Sequence, residues 1–149
     1  MRRLATDRSG NVMIEFALAL PVLALLLVGM ADLGSFSLQK SAMLQGAQAG
    51  AQYGIIDATN TANINSTAQS ATGLLGVTAT SSVFCECVAG TTVTCTTTCS
   101  GGATLKQYIT VNTTKSFSSA LSVVAHSFGG FATWTPPSTV SASVTLIVP

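Results

Sequence analysis

The chain has 149 residues, of which 48% are hydrophobic and only 7% charged, and its net charge is +1. Soluble domains carry about a quarter charged residues, so water is not expected to be the only solvent this chain meets. The near-neutral balance removes the electrostatic case for a nucleic-acid partner. The missing charges are replaced by Ser, Thr, Ala and Gly, which suits an envelope protein whose surface packs against other chains, because such side chains are cheaper to desolvate than Lys or Glu.

The N-terminus is read first as charge. Arg2, Arg3 and Arg8 all precede Gly10, and the run from Phe16 to Ala31 carries no charge. A helix needs about 20 residues to cross the hydrocarbon core. Extending the run to Asn11 and Leu33 supplies that length, and includes Glu15 and Asp32. The basic cluster before the span predicts a cytoplasmic N-terminus and a translocated remainder. A cleaved secretory signal would want a shorter apolar core and a small-x-small site, for which Gly29 to Ser35 offers small residues. A plain signal anchor is the simplest reading. Glu15 argues for a third, since an acid at mid-membrane costs about 3 kcal/mol, less near the interface. A prepilin-type leader gives that acid a use. Cutting between Gly10 and Asn11 would create an α-amino group about one turn from Glu15. The carboxylate could then pair with its own or a neighbouring N-terminus and fix an axial register between helices.

The helix is expected to continue beyond the span to Asp57. Leu33, Phe36, Lys40, Met43 or Leu44, Ala47 and Ala51 recur at helical spacing, and no Pro interrupts them. Gly46, Gly50 and Gly54 share one face. They allow close packing, either against another helix or against the chain's own sheet.

These residues resemble a known family. The stretch Asp7-Arg8-Ser9-Gly10-Asn11-Val12-Met13-Ile14-Glu15-Phe16-Ala17-Leu18 is similar to the start of TadE-like proteins, minor pseudopilins of tight-adherence (Tad/Flp) pilus systems. Pro21, the Leu-rich run to Val28, Gly29 to Gly34, and the small-residue stretch Gly46 to Gly54 continue the likeness. The family often has Arg in that last stretch, where this chain has Gln48 and Gln52. The resemblance implies a pilin-like α+β fold and prepilin processing at Gly10, Asn11, Glu15 and Phe16. It also implies a place in the bacterial inner membrane, with a prepilin peptidase, other pseudopilins and the pilus assembly machinery as partners.

A second helix is expected from Asn60 to Leu75. From Val77 the composition turns to Val, Thr and Ser, which predicts strands at Val77 to Val88, Thr92 to Cys99, Gln107 to Thr114 and Val140 to Val148. Gly90 and Gly101-Gly102 mark turns. Ser116 to Ser127 reads as either a helix or an irregular cover. The last strand alternates, with Val140, Ala142, Val144, Leu146 and Val148 on one face, and is expected at or near a sheet edge.

Cys85, Cys87, Cys95 and Cys99 are an even set in a segment expected outside the cytoplasm, which reads as two disulfides. A hairpin favours the nested pairing Cys87–Cys95 with Cys85–Cys99. The fit is imperfect, because Cys87 opposite Cys95 sets Cys85 against Thr97. A zinc site is the alternative, although Cys85-x-Cys87 is tighter than zinc pairs usually are and no His is near.

Other chemistry is sparse. His126 beside Ser127 lacks an orienting acid. Asp32, Asp57 and Glu86 are scattered. Trp134 near Phe131 and Pro136-Pro137 suits an apolar anchor better than a sugar platform. The chain is therefore read as non-enzymatic, with no metal and no cofactor. Its organisation is predicted as a basic cytoplasmic leader (1–10), a transmembrane helix (11–33), an extracytoplasmic continuation of that helix (34–57), and a small disulfide-stapled α+β domain, periplasmic or extracellular (58–149). The function expected is assembly of a Tad-type adhesive pilus as a minor pseudopilin. The alternative is a membrane-tethered periplasmic binding or adhesion module that enters no filament.

Overall fold

The computed structural model describes residues 9–122 and 137–149. The architecture is α+β. A long helix α1 (Ser9–Ile56) is followed by a short helix α2 (Thr61–Ala71) and four strands: β1 (Thr78–Val88), β2 (Thr91–Val93), β3 (Lys106–Ser116) and β4 (Thr139–Val148). The strands form one antiparallel sheet in the order β2-β1-β3-β4. By its contacts the chain divides into two units. One contains the helix up to Ser35 together with residues from Ser119; the other contains Phe36–Ser118 and Pro137–Pro149.

In the second unit, α1 and α2 cover one face of the sheet. The core comprises Ala47 and Ala51 of α1, Ile64 and Ala68 of α2, Ala79 of β1, and Ile109 and Val111 of β3. Val83, Val144, Leu146 and Val148 pack against it. This follows from strand alternation, because Ile109, Val111 and Thr113 share one face of β3 and their partners Leu146, Val144 and Ala142 share the same face of β4. The Thr113 hydroxyl enters this layer without penalty, since it donates to the Met43 carbonyl at 2.9 Å. The alternation read in the last strand holds, and among the described residues β4 lies at an edge of the sheet.

The link between the helices is closed by local polar contacts. Asp57 Oδ1 accepts from the Thr59 N–H at 3.0 Å and from its hydroxyl at 2.7 Å. Asn60 caps α2 by accepting from the Asn63 N–H at 3.1 Å. The helix ends at Ala71, earlier than the expected Leu75. Thr72 is its C-cap, and Gly73 then takes a left-handed turn at φ 63°.

β2 is also shorter than the expected Thr92 to Cys99. The β1–β2 hairpin closes tightly through Ala89 and Gly90, with Gly90 at φ 83°, and Val88 pairs with Thr91. After Val93 the chain turns out of the ladder, and the Thr97 N–H donates to the Thr94 carbonyl at 2.9 Å. Of the ambiguous stretch Ser116 to Ser127, Ser116 ends β3, residues 117–119 take no regular structure and residues 120–122 form a helical turn; residues 123–127 lie outside the described residues.

Candidate functional site

The proposed processing site falls at the start of α1, with Gly10 and Asn11 in its first turn. Glu15 and Phe16 follow about one turn later and are exposed, Phe16 by 62%. The exposure continues along the helix: Leu18, Leu20, Val22, Leu23, Leu26, Leu27 and Met30 all lie open. Full burial of one such side chain is worth about 1.5–3 kcal/mol, so a run of them facing water would be costly. In lipid the same surface is at home. Among the described residues α1 is the one helix long and apolar enough to cross a membrane. Pro21 lies inside it. Its missing N–H leaves one carbonyl a turn earlier without its helical partner.

Asp32 has a partner that sequence reasoning missed. Its carboxylate accepts from the Ser119 hydroxyl at 2.5 Å and from the N–H groups of Ala120 and Leu121 at 3.0 and 2.7 Å. These donors open the helical turn at residues 120–122, whose first N–H groups have no partner within the turn. Ser119 Oγ also accepts from the Ser122 N–H at 3.3 Å. Asp32 thus acts as a capping group supplied from α1. The signal available in sequence was Ser119 followed by Ser122, a weak capping pattern, and nothing local joined it to an acid far back in the chain.

Gly46, Gly50 and Gly54 of α1 serve intramolecular packing. A Cβ on Gly46 would collide with the Thr72 side chain and stand 2.5 Å from the Ala68 carbonyl oxygen. One on Gly50 would lie 2.8 Å from the Ala68 Cβ and 3.3 Å from Val111 Cγ1. One on Gly54 would collide with Ile109 Cδ1. Gly46 and Gly50 therefore admit α2, and Gly54 admits the sheet.

All four cysteines are paired, which removes thiolates for a zinc site, but the connectivity is neither nested nor the hairpin pattern expected. Cys85 bonds to Cys95 and Cys87 to Cys99, with Cα separations of 5.1 and 5.5 Å. The register explains the correction. Cys85 faces Val93, not Thr97, and a bulge between Glu86 and Val88 takes Cys87 out of the ladder. Cys95 lies just past the end of β2 and returns to Cys85, while the turn that follows carries Cys99 to Cys87. The Glu86 carboxylate accepts from the Gly90 N–H at 3.3 Å, across the hairpin turn.

The outer sheet face is mostly hydroxyl-bearing. Thr110 and Thr145 share a hydrogen bond at 2.8 Å, and Thr78 and Thr114 one at 2.7 Å. At one end Phe84 and Tyr108 stack with centroids 5.2 Å apart. No cluster of His, Cys, Asp and Glu able to hold a metal occurs among the described residues. The leader through Arg8, His126, Ser127, Phe131, Trp134 and Pro136 lie outside them.

No curated protein and no solved structure matched this chain. The family model described as TadE-like protein matches residues 10–52. That match begins at Gly10, includes Glu15 and the whole exposed apolar run, and ends two residues before Gly54. Over its N-terminal helical part this chain is similar to TadE-like proteins, and the sheet stands outside the match.

Proposed function

We propose that the chain is a minor pseudopilin that takes part in assembling a Tad-type pilus, anchored in the bacterial inner membrane by α1 with its sheet domain on the far side. The observation that carries this reading is the TadE-like match over residues 10–52, which coincides with an apolar helix whose large side chains are exposed. A prepilin peptidase cuts between Gly10 and Asn11, and Glu15 then meets an N-terminal ammonium in a helical bundle with other pseudopilins. Pairing is what makes an acid in that environment tolerable. The protein has an assembly role and no enzymatic one.

Mass spectrometry of native protein from membranes and from sheared pili tests this directly. The expected species begins at Asn11 and is found with the pilus or its inner-membrane assembly complex. An intact Met1 in the assembled form overturns the processing step. Normal piliation with Glu15→Ala, together with absence from both fractions, favours a plain membrane tether instead.

A further inference from the structure

The two edges of the sheet are finished differently. β2 has three residues, faces a register break between Glu86 and Val88, and runs into a disulfide-held turn at Cys95. β4 has ten residues and pairs with β3 without a break from Gln107↔Val148 to Ser116↔Thr139. No described strand pairs along its other side. In an antiparallel ladder alternate residues turn their N–H and C=O groups away from the partner, so this side of β4 presents a row of donors and acceptors. Proteins usually blunt such an edge with Lys, Pro, a bulge or a short strand. The strand Thr139–Val148 contains no charge, no Pro and no bulge, and it is long. Beside it, between α1 and the β3–β4 pair, lies a groove of about 610 Å³, lined by Lys40 and Leu44 of α1, Asn112 and Thr114 of β3, and Ser141, Ala142 and Ser143 of β4. Lys40 is the one charged side chain lining that groove.

Chain direction limits what can add there. The Met43 carbonyl meets Thr113, Gly50 lies against Val111 and Gly54 against Ile109. Hence α1 runs against β3 and in the same sense as β4. A second copy added antiparallel through β4 would have its α1 reversed. Two such chains would not insert their apolar helices into one bilayer in the same sense. The row of backbone groups therefore calls for a strand; the helix direction excludes antiparallel pairing with the β4 of a second copy, and β4 itself carries no acidic side chain to meet Lys40.

We propose that the edge of β4 that no described strand covers accepts an extended segment of a different polypeptide by strand addition. Its alternate apolar side chains lie over Leu44, and one acidic side chain reaches Lys40. Main-chain hydrogen bonds supply the affinity and the groove supplies the selectivity. The inference rests on the sheet edge and is independent of processing at Gly10.

The test uses the full chain in lipid nanodiscs and a synthetic peptide alternating Val and Thr, with one Val replaced by Glu. Two further peptides carry N-methyl groups on one or the other set of alternate amides. Saturable binding is expected. One methylated set should bind more weakly by on the order of tenfold, because several hydrogen bonds are lost together, and the other should bind as before. Alternate amides of Thr139–Val148 should gain protection from hydrogen exchange. Lys40→Ala should weaken the Glu peptide and leave an uncharged Val/Thr peptide unaffected. No saturable binding, equal effects of the two methylated sets, or full protection of those β4 amides before peptide is added would each overturn the proposal.

Discussion

The two halves of α1 invert each other. Before Ser35 the large apolar side chains are outside: Leu18 is 73% exposed and Leu27 68%. After Phe36 the smallest residues are inside, with Ala47 and Ala51 fully buried and Gly46, Gly50 and Gly54 in contact with α2 or β3. One continuous helix thus presents bulk outward in one half and admits close neighbours in the other. Helical propensity is shared by both halves, so the difference lies in the solvent each half is made for. Large aliphatics exposed along a whole helix suit hydrocarbon. Ala and Gly buried against a helix and a sheet suit a thin, tightly packed domain core.

The sharpest way to break the comparison is to put the same substitution in each half. Gly46→Val places new atoms against the Ala68 carbonyl and the Thr72 side chain, and is expected to destabilise the domain by about 3 kcal/mol. Gly29→Val and Gly34→Val, with nothing within 4 Å of the added Cβ, should leave the domain within about 0.5 kcal/mol of wild type. Thermal unfolding followed by circular dichroism in lipid reads all three. Equal losses in both halves would remove the distinction.

The next largest effect concerns what holds the sheet domain apart from its small core. Replacing Cys85 and Cys95 together by Ala should cost about 2–3 kcal/mol, since the bond closes a loop of sequence separation 10. Non-reducing peptide mapping should recover Cys85 linked to Cys95 and Cys87 linked to Cys99; a Cys87–Cys95 peptide would contradict the register described. Thr113→Val removes the buried hydroxyl bond to the Met43 carbonyl and should cost about 1 kcal/mol, detectable as a lower melting temperature.

The smallest effect is pH-dependent. The Thr59 hydroxyl, and after it the Thr59 N–H, hold the Asp57 carboxyl below its ordinary value of 3.8. A depressed folded-state pKa stabilises above the unfolded value and loses that contribution as pH falls through the folded one. The wild-type domain should therefore lose a small increment of stability below about pH 4, and Asp57→Asn should lack that increment. Melting temperatures compared between neutral and acidic buffer would show it.

Much of this was legible in the chain itself. The uncharged run and the small-residue stretch are local patterns, and one long helix through both follows from them; it spans Ser9–Ile56, 48 residues. The alternation in Thr139–Val148 likewise gave away its buried face. The failures were all matters of register and distance. Cysteine spacing allowed three connectivities, and a nested hairpin was the simplest; only the tight Ala89-Gly90 turn and the bulge at Cys87 set Cys85 against Val93. Glycines four apart allowed two kinds of partner, and their neighbours Ala68, Thr72 and Ile109 are known only once α2 and β3 are placed. Asp32 read as a charge at the end of a span, because its three donors lie at Ser119, Ala120 and Leu121.

The sequence by itself therefore determined which solvent each segment is built for, because hydropathy and charge act through the residue's own chemistry and its nearest helical or strand neighbours. Tertiary structure decided which cysteines join, what the glycines admit, which acid caps which turn and in what order the described strands pair. Those depend on pairing between distant segments, where a shift of one or two residues changes every partner.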